Sequence, residues 1–177
     1  MSKKILRKKI LIYRKNNFKP ISIKLSSLKE ILKISHLKSK KKIGGYYPIN
    51  CEIDTLEILK ELFKLGHKIS LPVIKEKKQM DFFEWSFDDP LRVGKMGIPE
   101  PFQLKKIYPD VILVPLVAFD EYNYRLGYGG GYYDRYIEKA NKTKKILTIG
   151  LAFSFQKVNK LSVNDHDKKL DFILTER

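Results

Sequence analysis

The sequence predicts an α/β fold: a three-layer α/β/α sandwich on a mostly parallel sheet, built as one domain over residues 1–177. Three observations carry this. Strand, helix and strand patterns follow one another over residues 43–74, and the same order returns over residues 110–152. Such units make parallel strands with right-handed crossovers, so helices must cover the sheet. The run at residues 111–114 is apolar throughout, as in a strand buried on both faces.

Each element has a local reason. Residues 3–16 read as a basic helix, with Ile5, Leu6, Ile10 and Tyr13 forming a partly apolar stripe. Ser27-Leu-Lys-Glu30 has the form of a capping box and predicts a helix to about Ile34. Ile43-Gly-Gly-Tyr-Tyr47 predicts a strand ending at Pro48. Asp54-Thr-Leu-Glu57 starts a helix whose apolar face is Leu56, Leu59, Leu62 and Phe63, and Gly66 stops it. Residues 68–74 predict the next strand, and residues 79–85 a short additional one. Residues 88–105, rich in Gly and Pro, predict an extended surface loop. A strand at 110–115, a glycine loop, a helix to about Lys139 and a strand at 145–152 complete the pattern. No internal repeat or low-complexity linker argues for a second domain.

Composition bounds the class. With 43% hydrophobic residues, the 177-residue chain is globular. No apolar stretch approaches a membrane span, and Lys recurs where a signal peptide would be apolar. Cys51 is the sole cysteine, so no internal disulfide forms. These features predict a cytoplasmic protein, expected to be a monomer. The net charge is +16, and only six of the 36 basic residues are Arg. Nucleic-acid binding is the functional alternative for such a charge, supported by Lys38-Ser-Lys-Lys-Lys42 and the basic first helix. Against it, the lysines are scattered and no aromatic-basic recognition module is present. The field suits small polyanions.

The chemistry concentrates in Arg125-Leu-Gly-Tyr-Gly-Gly-Gly-Tyr-Tyr-Asp-Arg-Tyr136. Four glycines precede a helix start, where free N–H groups and the helix dipole favour an anion. Arg125 and Arg135 add charge suited to phosphate, and Asp134 is a possible magnesium ligand. The loop is not a Walker A motif, because no Gly-Lys-Ser/Thr follows. It is not a dinucleotide fingerprint either, because Tyr132 occupies the third glycine position. Spacing alone supports an anion-binding turn, and a glycine-rich hairpin fits it as well. Glu52 and this loop both follow strand C-termini, which places them on the sheet edge where ligands bind. Lys3 and Arg7, four apart, share one helix face. A solvated basic helix would show the same spacing.

A longer pattern adds to this. Pro115-Leu-Val-Ala-Phe-Asp120 followed by the glycine loop resembles the signature of the 5-formyltetrahydrofolate cyclo-ligase (5,10-methenyltetrahydrofolate synthetase) family. Lys3-Lys-Ile-Leu-Arg7, the Tyr47 to Thr55 segment, Gly94-Lys-Met-Gly-Ile-Pro-Glu-Pro101 and His166-Asp167 with Asp171 and Thr175 resemble further family elements, in family order. The resemblance covers essentially the whole chain. It implies an enzyme that uses ATP and Mg²⁺ to convert 5-formyltetrahydrofolate to 5,10-methenyltetrahydrofolate, ADP and phosphate.

By that resemblance Lys3, Lys4, Ile5, Leu6 and Arg7 meet ATP, as do Arg125, Leu126, Gly127, Tyr128, Gly129, Gly130, Gly131, Tyr132 and Tyr133. Tyr47, Glu52 and residues 128–132 meet the folate. Asp134 and Asp167 hold magnesium. Several relatives carry Arg or Lys where this chain has Tyr128 or Gly130, so Arg125 is the candidate for neutralising the transferring phosphoryl group. On this view Arg125→Ala removes most turnover and leaves the fold intact. Two rival readings remain: a non-catalytic relative that binds nucleic acid, and an ATP-independent sugar-phosphate isomerase or CoA-transferase-like enzyme with Glu52 as base or nucleophile. Secondary candidates are His36, His67, His166, Cys51, and a pocket wall of Trp85, Phe82 and Phe83.

Overall fold

The computed structural model describes residues 2–21, 23–34, 40–103 and 105–176. His36 and the start of the Lys38 basic run lie outside them. Seven strands form one sheet in the order β11-β10-β7-β1-β2-β3-β6. These are β1 (Lys42–Gly44), β2 (Lys68–Ile74), β3 (Met80–Glu84), β6 (Lys106–Ile107), β7 (Val111–Pro115), β10 (Leu147–Ala152) and β11 (Phe172–Thr175). The pairs β1–β2, β1–β7, β7–β10 and β10–β11 are parallel. β3 runs antiparallel to both β2 and β6. The mostly parallel sheet is as the sequence predicts, and residues 79–85 extend it.

The alternation of β7 separates the layers. Val111 and Leu113 face a core completed by α2 (Leu25–Ile34) and α3 (Leu56–Lys64), including Leu28, Leu59 and Leu62. Ile112 and Val114 face the opposite core, which Tyr136 and Ile137 of α4 (Tyr132–Asn141) close. Both faces are apolar because both are covered. Each fully buried Leu or Ile stabilises the fold by about 1.5–3 kcal/mol.

α1 (Lys3–Asn16) is not part of either layer. Its Ile10 packs with Val117, Ala118, Leu126 and Leu161 in a third cluster. Val117, Ala118 and Leu126 lie just past β7 and in the hairpin of β8 (Ala118–Phe119) and β9 (Arg125–Leu126), and Leu161 lies in the segment between β10 and β11. α1 therefore sits at the C-terminal edge of the sheet, beside the glycine loop. Among the described residues, no helix is long and apolar enough to cross a membrane.

Several local expectations change. α2 begins at Leu25, so Ser27 lies inside its first turn and does not cap it; the Ser27 amide donates to the Lys24 carbonyl. β1 ends at Gly44, because Tyr46 turns inward, 3% exposed, and donates its hydroxyl to the Ile53 carbonyl. At α3 the Asp54 carboxylate accepts the Leu56 amide, while the Thr55 hydroxyl donates to the Tyr46 carbonyl. Residues 88–105 are not a structureless loop. They hold the hairpin of β4 (Leu91–Val93) and β5 (Pro99–Pro101), tied by Arg92 to Glu100 at 3.1 Å. The glycine loop follows β7 only after the β8–β9 hairpin, which turns Arg125 back toward the sheet edge.

Candidate functional site

A cavity of about 590 Å³ opens at this edge. Its floor includes Pro72, Ile74 and Pro115 at the ends of β2 and β7. The walls are residues 127–133 of the glycine loop, the tip of the β4–β5 hairpin, Lys3 and Arg7 of α1, and the segment carrying Tyr47 and Glu52. The volume is ordinary for a small-molecule site.

The glycine loop takes its shape from left-handed backbone. Gly129 has φ +102° and Gly131 has φ +65°, where side-chain-bearing residues are strained. Gly131 is the N-cap of α4, so the free amides of that helix open toward the cavity wall. Arg7 locks the loop from the other side: its Nε donates to the Gly127 carbonyl at 2.7 Å. Its guanidinium lies 3.6 Å from where a Gly129 Cβ would stand. A Cβ there would meet it at ordinary van der Waals distance, so the left-handed backbone is what calls for glycine.

The cations of the cavity differ in what they hold. Lys3 is paired with Asp167, whose Oδ2 also accepts the Asn164 amide at 2.8 Å. Arg125, with a side chain 4% exposed, donates to Asp134 Oδ1 at 2.8 Å and to the Lys168 carbonyl at 2.9 Å. Asp134 Oδ1 also accepts the Lys168 amide at 3.0 Å. Arg125 and Asp134 thus pin the C-terminal segment to α4. Among the described residues, Arg7 has no carboxylate partner. The expectation that Arg125→Ala would leave the fold intact therefore changes, because the substitution would strip a half-buried carboxylate and a carbonyl of their donor.

Other assignments separate cleanly. Tyr47, Glu52, Leu126, Gly127, Tyr128, Gly129, Gly130, Gly131, Tyr132, Tyr133, Asp134 and Asp167 all border the cavity. Lys4, Ile5 and Leu6 do not. Ile5 is exposed and Leu6 packs against the α1 cluster. Arg135 is not available to a phosphate in the cavity. It donates to the carbonyls of Lys78 and Gly130 and lies over the Tyr132 ring, bracing the loop from outside. His166 is exposed. His67 accepts the Lys41 amide, and with Trp85 it borders a separate cavity of about 540 Å³. Phe82, Phe83 and Trp85 are core residues, not walls of this site. Cys51 is half-buried in a left-handed turn beside Asn50.

Glu52 is the electrostatic centre of the other wall. It is 5% exposed, and its Oε2 accepts the Ile49 amide at 2.9 Å. Burial pushes its pKa up to about 7, against the pull of that amide, of Tyr128 and of Arg14. Burial and the nearby Glu52 charge likewise push the Tyr128 and Tyr133 phenols up. The sequence reading missed Arg14, which is 1% exposed and reaches this wall from α1. It lies seven residues beyond Arg7, two helical turns on the same face, and that spacing was the available signal.

The geometry defines a class: an α/β protein with a glycine-lined pocket at the C-terminal sheet edge, bordered by the cations Lys3, Arg7, Lys95 and Arg125 and the carboxylates Glu52, Glu100, Asp134 and Asp167. Comparisons with known proteins narrow it. The model of the 5-formyltetrahydrofolate cyclo-ligase family matches residues 1–176, and the chain belongs to that ligase family. It is 31% identical over 150 residues to the 5-formyltetrahydrofolate cyclo-ligase of Haemophilus influenzae, covering 81% of this chain and 80% of that one. It is 34% identical over 140 residues to the Escherichia coli K12 cyclo-ligase, covering 75% and 76%. Among solved structures, it is similar to the Aquifex aeolicus 5,10-methenyltetrahydrofolate synthetase, with TM-score 0.79 and 34% identity over 100% of this chain and 91% of that one. The Mycoplasma pneumoniae synthetase gives TM-score 0.72 and 27% identity over 100% of both chains.

Proposed function

We propose that the chain converts 5-formyltetrahydrofolate and ATP to 5,10-methenyltetrahydrofolate, ADP and phosphate. The observation that carries this reading is one cavity with two unlike walls. One is a glycine loop braced by Arg7 of α1, a guanidinium with no carboxylate partner among the described residues, suited to a triphosphate. The other is a buried carboxylate among tyrosines, suited to a pterin.

The formyl oxygen attacks the γ-phosphorus, and the bond to ADP breaks. N10 then attacks the formyl carbon, the carbon–oxygen bond breaks with phosphate leaving, and N10 loses its proton. The protein's work is positioning and charge stabilisation, with no protein nucleophile. In this reading Lys3, Arg7 and residues 125–133 hold the nucleotide. Arg7 is better placed than Arg125 to neutralise the transferring group, because Arg125 is already committed to Asp134. Glu52 accepts pterin N–H groups, and Tyr47 and the Tyr128 to Tyr132 segment pack against the folate.

Asp134 and Asp167 fit a magnesium ion. Their protein hydrogen bonds fall on Oδ1 of Asp134 and Oδ2 of Asp167, leaving the second oxygen of each for a ligand. Among the described residues no group of three metal-binding side chains exists. Two carboxylates completed by phosphate oxygens and water are what Mg²⁺ takes. A bound ion would offset triphosphate charge. Asp134→Asn is expected to raise the magnesium concentration for half-maximal rate about tenfold, the loss of one charge-assisted ligand. A magnesium titration identical to the parent's would remove Asp134 from that role.

ADP release tests the reaction. It should require 5-formyltetrahydrofolate and match methenyl product one for one. Product formed without ATP would contradict the proposal.

A further inference from the structure

Among the described residues, two buried side-chain atoms find no hydrogen-bond partner: Arg14 Nε and Glu52 Oε1. They belong to side chains of opposite charge; Tyr128 is bonded to the first and borders the cavity with the second. Arg14 Nη1 donates to the Leu116 carbonyl at 3.2 Å, and Nη2 donates to the Tyr128 hydroxyl oxygen. The guanidinium carbon lies 5.8 Å from the Tyr128 ring centroid. A guanidinium has only donors, so the phenol oxygen must accept and its proton must point elsewhere. Tyr128 and Glu52 line the same cavity, and Glu52 Oε1 is the acceptor there that no donor fills. Arg14 does not border the cavity, so it acts from behind the wall.

We propose that Arg14 is a positioning residue for the folate half of the site: it fixes Tyr128 as a donor toward Glu52 and keeps the Glu52 carboxylate charged to accept the pterin. This rests on the reading of Glu52 as a folate contact. The groups that act on Glu52 come from four segments. Arg14 of α1, Tyr128 of the glycine loop and the Ile49 amide favour its charged form. Tyr46, after β1, and Tyr133 of α4 sense its charge through their own raised pKa values. Arg14 supplies the one full positive charge in this set. Its removal leaves burial less opposed, so Glu52 would hold its proton to higher pH.

The test is steady-state kinetics of Arg14→Met, Tyr128→Phe and Glu52→Gln from pH 5.5 to 9, with thermal melting alongside. In Arg14→Met the KM for 5-formyltetrahydrofolate should rise about tenfold, the loss of one charge-assisted contact. The KM for ATP should stay near the parent's. The acid limb of kcat/KM should move roughly one pH unit upward in Arg14→Met, with a smaller shift in the same direction in Tyr128→Phe. Arg14→Lys should return the limb toward the parent's position, since it restores the charge without the fork. Glu52→Gln should abolish the limb. If it keeps both limb and folate KM, the Glu52 reading fails and the proposal with it. If Glu52→Gln loses both while Arg14→Met and Tyr128→Phe keep the parent's limb, only the positioning role is overturned. If Arg14→Met does not fold, Tyr128→Phe decides, because it leaves the Arg14 bond to Leu116 in place.

Discussion

Arg125→Ala is expected to lose most turnover and to lower stability by about 2–4 kcal/mol. Breaking a buried ion pair costs about 3–5 kcal/mol, because the remaining charge stays without its partner. Asp134 keeps a quarter of its side chain exposed, which trims that figure. The loss has two parts. Asp134 Oδ1 would retain only the Lys168 amide, and the Lys168 carbonyl would lose its donor. Both tie the segment carrying Asp167 to α4, so the cavity wall loosens where the triphosphate is proposed to sit. Denaturant unfolding and turnover should therefore fall together. Arg125→Lys should recover part of each, since one ammonium can replace only one arm of the fork. Unchanged kinetics with unchanged stability would contradict both roles.

Glu52→Gln should separate stability from activity. The folded-state pKa of Glu52 is about 7, above the ordinary value of 4.5. Between those values the folded chain binds more protons than the unfolded one, so this group's contribution to stability falls as pH rises. It is fully favourable below the unfolded value and is lost as pH passes through 7. A shift of this size corresponds to about 3 kcal/mol. Glu52→Gln removes the cost of burying the charge. It should therefore be more stable than the parent at pH 8 by up to that amount and nearly equal at pH 5. Its kcat/KM for 5-formyltetrahydrofolate should nevertheless fall at least about a hundredfold, as when a site loses a charged hydrogen-bond acceptor for its substrate. A variant less stable than the parent at both pH values would show that the carboxylate is held by partners rather than strained by burial.

The contrast between what the sequence showed and what it hid is physical. β1-α3-β2 was legible because Leu59 and Leu62 repeat at helical spacing and Gly66, with φ +84°, stops the chain where expected. β7, α4 and β10 were legible for the same local reasons. β8, β9 and β6 are two residues long and carry no period to read. β11 pairs with β10 across a long separation, and nothing in Phe172–Thr175 announces its partner. The hairpin of β4 and β5 looked like loop because its strands carry Pro99 and Pro101.

The site followed the same division. The glycine loop, Glu52 and Lys3 converge as their motifs implied. Ile5 and Leu6 sit within a motif yet face away from the cavity, because a helix shows a ligand only one face. Arg14 was hidden among the lysines of α1, and it is buried through tertiary contacts with Leu116 and Tyr128 that no local pattern announces.

The proposed reaction is read by near-ultraviolet absorbance of the purified chain with 5-formyltetrahydrofolate, Mg²⁺ and ATP, against a sample lacking ATP. Absorbance should rise with the methenyl product, and only when ATP is present. Folded protein that gives no rise with confirmed substrate, or the same rise without ATP, would contradict it.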